Sequence, residues 1–353
     1  MNEQDVAALV ALSQVEGVGP ATLLRHLRGG PLAAWEALPA HQRQIDPARE
    51  LERHLVAGRH VLVYGQPGYP ERLLEDPAPP ALLFAQGRLD ALEGPAVAVV
   101  GTRNATRLGR DLAGCLGAEL TAAGVAVVSG LALGIDGAAH RGSIGWLGHH
   151  PGGRVGRPIG VIASGLDVVY PRRHLELHRQ VAAMGLLVSE TPLGHRPVPW
   201  RFPARNRIIA GLVDAVVVVE SRSAGGSMLT AGEALDRGIS VLAVPGHPTS
   251  GAAAGTNDLI FDGATIVRSA ADVLGAIGVD PPPTAAGPSP RVRPLTVAER
   301  LVVEAVGAEP AALSEIVGRS ALSLEVVAAA LVSLEADGFL VRSAGWYEPV
   351  VVP

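Results

Sequence analysis

The stretch VAVVGTRNATRLGRDLAGCLGAELTAAGVAVVSG, residues 97–130, decides the fold class. Val97–Val100 and Val125–Ser129 are short apolar runs that predict buried strands, and Arg107–Ala122 between them has the apolar spacing of a helix. Strands without a polar face that alternate with helices are typical of a parallel sheet covered by helices on both sides. We therefore predict an α/β fold.

The same alternation extends outward from this stretch, from about residue 61 to residue 278. Further strands are predicted at Val61–Tyr64, Ala81–Ala85, Ile159–Ala163, Leu186–Ser189, Ala215–Val219, Ser240–Val244 and Thr265–Val267. Further helices are predicted at Ile135–Gly145, Arg172–Met184, Ser227–Asp236 and Ala270–Ile277. Ligands of such sheets bind beyond the carboxyl ends of the strands, where the Gly-rich motifs of this chain lie.

Residues 1–60 predict a helical module in front of the sheet. Within it, Gly17-Val18-Gly19-Pro20 has the pattern of a helix-hairpin-helix, in which two glycines form a tight turn and a proline starts the next helix. The amides of such a turn hold a phosphate. A plain helical hairpin accounts for these residues almost equally well, so both interpretations stay open.

Residues 279–294 predict a Pro-rich linker, and residues 295–353 predict a second domain. Its order of elements is typical of a winged helix-turn-helix, with helices at Thr296–Val306, Ala311–Val317 and Ser323–Ala336 and a turn at Asp337-Gly338. The predicted recognition helix has no basic residue, and the domain carries eight acidic residues against three arginines. Because a major-groove reader needs Arg, Lys, Asn or Gln on that helix, the sequence favours a protein contact here.

The chain contains no lysine, which excludes mechanisms that depend on a P-loop, Schiff-base or kinase lysine. Cys115 is the only cysteine, so the chain has neither an internal disulfide nor a thiolate metal site. The acidic residues near the N-terminus are unlike a signal peptide, and no apolar run has the length of a membrane span. We expect a cytoplasmic protein without a metal, a cofactor or a membrane partner.

Positive charge is concentrated in the middle of the chain. Between Arg103 and Arg207 lie thirteen arginines and six acidic residues, although the whole chain has a net charge of −5. A basic segment within an acidic protein indicates a polyanionic partner. A solvated basic face without a ligand is the alternative.

Three Gly-rich turns follow predicted strands or precede predicted helices, at residues 101–106, 129–140 and 224–230. Their backbone amides are suited to bind an anion, and Arg103 is able to form a forked pair with a phosphate. Each turn by itself is also explained as a tight turn. Asp136 and His140 are spaced as an acid–base pair, but helix capping and packing explain them better because no nucleophile accompanies them.

The segment Phe202–Gly211 combines an aromatic ring, two guanidinium groups and an amide. These groups hold a phosphate backbone while stacking on a base, which indicates a binder of single-stranded nucleic acid. The structural alternatives are a buried Phe202, ion pairs for the two arginines, and Asn206 as the cap of a helix that starts there. We expect Arg103, Arg205 and Arg207 to neutralise phosphates while Phe202 contacts a base.

Together these motifs resemble the DNA-processing protein A (DprA/Smf) family. The resemblance covers about residues 61–278, and its motifs are Gly101–Thr106, Ser129–His140, Gly165–Pro171, Ser189–Gly194, Phe202–Gly211, Ala243–Gly246 and Gly255–Ala264. Tyr69-Pro70 and Leu82–Gly87 are similar to the strand pair that precedes the core in that family. The flanking modules are arranged as in the family, with a helix-hairpin-helix or SAM-like module first and a winged helix last.

The resemblance implies an extended Rossmann-like core that binds single-stranded DNA in a basic pocket, forms a homodimer and has no catalytic activity. It also implies that the strand is protected and then passed to the RecA recombinase in natural transformation. Carried over by motif, Arg103 and the amides near Gly130 and Gly226-Ser227 hold phosphates. Phe202 contacts a base, and Arg205, Asn206 and Arg207 line or brace the pocket. The candidate DNA-binding residues are Gly101, Arg103, Thr106, Ser129, Gly130, Arg201, Phe202, Arg205, Asn206, Arg207, Gly226 and Ser227.

The chain departs from the family pattern at several positions. Leu108 replaces the usual Tyr, His174 replaces an expected Asn, and Pro199 stands where a basic residue is expected, with Arg201 as a possible substitute. Residues 141–158 are predicted to form a Gly-rich loop that is longer than usual, with Arg154 and Arg157 and no assigned role.

A nucleotide-hydrolysing enzyme is the main alternative function. Gly225–Glu233 looks like the Gly-Gly-x-Gly-Thr-x-x-Glu motif of Rossmann-like phosphoribohydrolases, but its Ser and Thr are offset and Glu233 falls one residue late. A transcription regulator that acts through the C-terminal domain is the second alternative, which the acidic recognition helix disfavours.

Overall fold

A computed structural model describes residues 1–56, 58–150, 155–280, 295–307, 310–336, 339–343 and 345–349. Most of the predicted linker (residues 281–294), part of the long loop (residues 151–154) and the predicted Asp337-Gly338 turn lie outside the described residues. The chain divides into two compact units, Met1–Pro282 and Pro283–Pro353.

The first unit is built on a nine-stranded sheet. Its strands are β1 (Arg59–Val63), β2 (Leu82–Gly87), β3 (Ala96–Val100), β4 (Ala126–Ser129), β5 (Pro158–Ile162), β6 (Leu186–Ser189), β7 (Ala215–Val218), β8 (Ser240–Ala243) and β9 (Thr265–Ile266). They lie in the order β1-β2-β6-β5-β4-β3-β7-β8-β9. The seven strands from β6 to β9 are parallel, whereas β1 and β2 are antiparallel to their neighbours. The predicted α/β class is confirmed, with an antiparallel pair at one edge.

Helices cover both faces of this sheet. They are α1 (Glu3–Leu12), α2 (Pro20–Gly29), α3 (Pro31–Glu36), α4 (Pro47–Leu55), α5 (Arg107–Ala122), α6 (Ile135–His149), α7 (Leu175–Met184), α8 (Arg201–Gly211), α9 (Gly226–Leu235), α10 (Ala254–Phe261) and α11 (Ala270–Ala276). Val97 and Val99 of β3 share one apolar cluster with Leu116 of α5, and Val100 shares another with Ile208 of α8. Successive strand residues point to opposite faces, so both sides of β3 are buried.

The N-terminal helices pack against the antiparallel edge of the sheet. Leu9 and Leu12 of α1 lie in one buried cluster with Leu82 and Phe84 of β2 and Leu177 of α7. The helices α1–α4 therefore share a core with the sheet and belong to the same compact unit.

The strand order places a topological switch point beside β3. From β3 the chain proceeds through β4 and β5 to β6 on one side, and β7 then returns to pair with the other side of β3. In open α/β sheets the crevice outside the carboxyl ends of the strands at such a point is the usual ligand site.

Several helices of this unit differ from the predicted ones. α6 continues to His149 and α7 begins at Leu175, so residues 141–149 of the predicted loop are helical. α8 begins at Arg201, five residues before the predicted helix start, so Asn206 lies inside the helix and does not cap it. α10 was not predicted. Pro203 and the polar residues around it concealed the start of α8, although a proline is well accommodated in the first turn of a helix.

The second unit has three helices and a small sheet. Its elements are α12 (Val297–Val306), α13 (Leu313–Ser320), α14 (Leu324–Ala336), β10 (Ala311–Ala312), β11 (Leu340–Ser343) and β12 (Trp346–Pro349). The sheet has the order β10-β12-β11. Ile316, Val327 and Leu331 lie in its apolar core.

Within the described residues, no single helix is long and apolar enough to cross a membrane. Only the pair Leu313–Ser320 and Leu324–Glu335, bent by 113°, reaches that length and composition when the two helices are counted together.

Candidate nucleic-acid interface

A cavity of about 640 Å³ opens at the switch point. It lies among the turn after β3, the turn after β4 and the first turns of α8 and α9. Its lining includes Gly101, Thr102, Arg103, Asn104, Ala132, Asp136, Phe202, Pro203, Arg205, Asn206, Ile209, Arg222, Gly225, Gly226, Ser227, Leu229 and Thr230. Of the twelve predicted site residues, seven line this cavity.

Arg103, which is exposed, and Phe202, which is partly exposed, lie side by side in the lining. The Arg103 Cζ atom lies 5.1 Å from the centroid of the Phe202 ring, a cation–π arrangement. Arg103 has no carboxylate partner among the described residues. The centroid of the half-exposed Tyr170 ring lies 5.6 Å from that of Phe202. A free cation and aromatic surface are thus available at one place.

The N-terminus of α9, which follows β7, forms another wall of the cavity. The helix starts at Gly226 after the N-cap Gly225, which provides no side-chain cap. Ser227 donates its hydroxyl to Ser221 Oγ at 2.8 Å, so this side chain fixes the turn. The first amides of a helix have no intrahelical acceptor and carry partial positive charge, which suits an anion.

The turn after β3 packs between Ile135 at the start of α6 and Glu220, which follows β7. A Cβ atom on Gly101 would lie 2.5 Å from Ile135 Cγ1, so only glycine fits there. Thr106 caps α5 by accepting from the Gly109 amide at 3.0 Å, and its own hydroxyl donates to Glu220. Gly101 and Thr106 therefore shape the turn that presents Arg103, and the Thr106 hydroxyl is already used.

The turn after β4 differs from the prediction. Ser129 is fully buried and donates to the Val99 carbonyl at 2.7 Å. The Gly130 amide donates to Asp136 Oδ2 at 3.0 Å. Contrary to the prediction, this amide is not free to hold a phosphate. Asp136 ties together the turn that precedes α6 instead of capping the helix.

Arg205 braces the floor of the cavity. Its guanidinium donates to the Gly130 carbonyl at 2.9 Å and to the Val161 carbonyl. Burial lowers the pKa of Arg205 to about 10, against the opposing charge of Asp136. Burial likewise raises the pKa of Asp136, which the charge of Arg205 opposes. Arg205 is cationic at neutral pH, but two of its donors are committed to the fold.

Arg207 and Asn206 differ in what they contact. Arg207 forms a forked pair with Glu190 at 2.7 and 2.6 Å and does not line the cavity, so its guanidinium already has a carboxylate partner. Asn206 lines the cavity, and its side-chain amide has no hydrogen-bond partner within the described part of the chain. The amide is therefore available to a ligand.

Arg201 lies outside the large cavity. Its Nη1 donates to the Arg196 carbonyl at 3.0 Å, and its Cζ lies 5.3 Å from the Trp200 ring centroid. Burial lowers the pKa of Arg201. The side chain lines a smaller groove on the opposite side of α8.

Arg222 was not among the predicted site residues, but it is exposed and lines the cavity beyond β7 without a carboxylate partner among the described residues. Its position a few residues after the end of β7 was the available signal. Of the departures, Leu108 is 67% exposed and does not line the cavity. The His174 Nδ1 atom donates to the Leu131 carbonyl at 3.0 Å, so this side chain supports the turn after β4.

The fold and this cavity define a Rossmann-like α/β protein with a cationic, aromatic-lined site at its switch point and a separate second domain. Comparison with known proteins then gives the family. Residues 60–278 match the family described as DNA recombination-mediator protein A, and residues 281–345 match the DprA winged helix domain. The chain belongs to the DNA recombination-mediator protein A family, as its motifs indicated.

Similar proteins cover most of the chain. Protein Smf of Synechocystis sp. is 33% identical over 98% of both chains, and DNA processing protein DprA of Bacillus subtilis is 40% identical over 64% of this chain and 74% of its own. DprA of Streptococcus pneumoniae, a solved structure, has a TM-score of 0.66 at 32% identity and covers 78% of this chain and 98% of its own. DprA of Helicobacter pylori, solved to show its single-stranded DNA binding mode, has a TM-score of 0.55 at 26% identity and covers 62% and 95%.

Proposed function

We propose that this chain is a non-catalytic protein that binds single-stranded DNA in the cavity at the switch point. The observation that carries the proposal is the Arg103 guanidinium placed 5.1 Å from the Phe202 ring, at the mouth of a cavity of about 640 Å³. A single strand offers a phosphate and an open base face side by side, whereas a duplex hides its base faces. The related protein of Helicobacter pylori, which binds single-stranded DNA, supports the same ligand.

In this proposal, different residues of the cavity contact the phosphates and the bases. Arg103 and Arg222 neutralise phosphates, and the α9 amides at Gly226 receive an anionic oxygen. Phe202 stacks on a base while the free Asn206 amide bonds to a base edge. Arg205 holds this arrangement in place from below.

The enzyme alternative needs a glutamate at the nucleotide. Glu233 instead forms an ion pair with Arg237 at 2.6 Å and does not line the cavity. A general acid or base must lie within hydrogen-bond reach of its substrate. This placement favours binding without turnover.

The family also leads us to propose that the chain forms a homodimer, acts in the cytoplasm, and protects incoming strands and loads RecA onto them in natural transformation. A RecA assay tests the loading step directly. On single-stranded DNA covered by a single-strand-binding protein, the chain is expected to raise the rate of RecA ATP hydrolysis, and Phe202→Ala is expected to lose that effect. An equal rate with and without the chain would contradict RecA loading.

DNA binding is tested by fluorescence anisotropy with labelled oligo-dT and the matching duplex across a salt series. We expect the single strand to bind more tightly, and Phe202→Ala to weaken it by about fivefold or more because one stacked base is worth about 1–3 kcal/mol. Arg103→Ala is expected to reduce the salt slope by about 0.7, the value for one phosphate of a single strand.

Arg107→Ala is the matched control, because Arg107 is an exposed arginine paired with Asp111 at 3.5 Å and does not line the cavity. Its salt slope should equal that of the unchanged protein. Equal affinity for duplex and single strand, or hydrolysis of a nucleoside monophosphate, would contradict the proposal.

A further inference from the structure

Helix α8 separates the large cavity from a second, smaller groove. Phe202 and Asn206, four residues apart, face the large cavity, whereas Trp200 and Ala204 face the groove. The groove has a volume of about 70 Å³, and its opposite wall is the turn between α1 and α2, including Gly19 and Pro20. We call it the Trp200 groove. It brings the N-terminal helices to the edge of the DNA site.

Trp200, at the start of α8, is a second aromatic ring beside an arginine, as Phe202 is in the large cavity. Its side chain is 57% exposed, and the Arg201 guanidinium lies 5.3 Å from its ring centroid. Exposed tryptophan beside an arginine is the stacking surface that single-strand binders use for successive bases. The groove is too small to enclose a whole nucleotide, so a base has to stack on the outer face of the indole.

The turn between α1 and α2 faces the same groove with open amides. α2 begins at Pro20, and its N-cap Gly19 gives no side-chain hydrogen bond to the helix. A Cβ atom on Gly19 would meet nothing within 4 Å, so space remains in front of the helix end. The first turn of α2 thus carries unsatisfied donors and partial positive charge.

One buried arginine connects the two sites. Arg205 is 8% exposed and lines both the large cavity and the Trp200 groove. Its Nε atom is buried and has no hydrogen-bond partner within the described residues. Glu190 also lines the groove, but Arg207 pairs with its carboxylate at 2.6 Å. The negative charge of Glu190 is therefore balanced by a neighbouring arginine.

We propose that a strand bound at Phe202 continues over the first turn of α8, stacks a further base on Trp200 and places a phosphate at the N-terminus of α2. The N-terminal helices are then part of the single-stranded DNA site. This inference rests on the proposed function of the large cavity. It assigns the Gly17–Pro20 motif a role that a plain helical hairpin does not have.

The test compares oligo-dT of about 4 and about 16 nucleotides, lengths that span the site sizes of small single-strand binding domains. Fluorescence anisotropy is measured on the full chain with Trp200→Ala, Trp200→Phe and Trp346→Ala. Trp346 is the matched control, an exposed indole in the second unit. We expect Trp200→Ala to weaken only the long oligonucleotide, by about fivefold or more, and Trp200→Phe to retain most of the affinity.

A second pair of variants tests the helix end without altering the aromatic side chain. Gly19→Asp places a carboxylate over the α2 amides and is also a favourable N-cap, so the fold is preserved while phosphate is excluded. Gly19→Ala leaves the amides open. We expect the Asp variant alone to bind the long oligonucleotide more weakly.

The two proposals fail in different ways. Unchanged affinity of Trp200→Ala and Gly19→Asp for the long oligonucleotide would overturn this inference and leave the Phe202 site intact. Equal weakening of both lengths by Trp200→Ala would also overturn it, because the indole would then act only through Phe202. Absence of binding by the unchanged protein would remove the proposed function itself.

Discussion

The side chains of Arg103 and Arg205 both reach the large cavity, but their surroundings differ. Arg103 is exposed and, within the described residues, has only the Phe202 ring as a partner, whereas Arg205 is buried between the Gly130 and Val161 carbonyls and the charge of Asp136. A Cβ atom on Gly130 would lie 2.4 Å from Arg205 Nη1, so the glycine is needed for this close approach. The first arginine serves binding, and the second serves the shape of the site.

Arg205→Met should therefore reduce the free energy of unfolding by about 3–5 kcal/mol, because it leaves the Gly130 and Val161 carbonyls without their donor and removes the positive charge near the buried Asp136 carboxylate. Arg103→Ala should change it by less than about 0.5 kcal/mol, as for other exposed positions. Urea denaturation followed by circular dichroism measures both. The double variant Arg205→Met/Asp136→Asn should recover part of the loss, and a loss that the second change leaves untouched would exclude the charge pairing as its cause.

At the scale of elements, the positions of the strands were predictable, but the partners of the arginines on α8 were not. Apolar runs located every strand of the large sheet within two residues, because both faces of a parallel sheet are buried. Arg205 and Arg207 are two residues apart on α8 and so point to different sides. Their partners come from β5 and from Glu190, which no local pattern links to them. Only the three-dimensional structure distinguishes the free arginine from the paired ones.

One added negative charge tests whether the N-terminus of α9 binds a phosphate. Gly226 is exposed, and a Cβ atom there would meet nothing within 4 Å. Gly226→Asp should keep or raise the melting temperature, since an acidic residue favours the first turn of a helix. The same carboxylate should weaken oligo-dT binding by about tenfold through repulsion of the phosphate. Gly226→Ala controls for the loss of glycine, and normal binding by the Asp variant would remove α9 from the site.

At the scale of the whole molecule, the first unit exposes three large apolar side chains on α9, α10 and β9, the elements that pack on or pair with β8. Phe261, Leu235 and Ile266 are 91%, 60% and 46% exposed. Large exposed apolar surfaces mark interaction sites, and β9 is an edge strand with free backbone groups. We expect this surface to form the homodimer contact.

Phe261→Asp should then convert a dimer into a monomer, as measured by light scattering coupled to gel filtration. Val332→Asp is the matched control, since Val332 is 70% exposed in the second unit and its replacement should leave the mass unchanged. A dimer offers a long strand two linked sites, so the monomeric variant should lose affinity for long oligonucleotides and keep it for short ones. Phe202→Ala should weaken both lengths, because it removes contact within each site. A dimer that survives Phe261→Asp would place the contact elsewhere, whereas a monomeric unchanged protein would contradict the proposed homodimer itself.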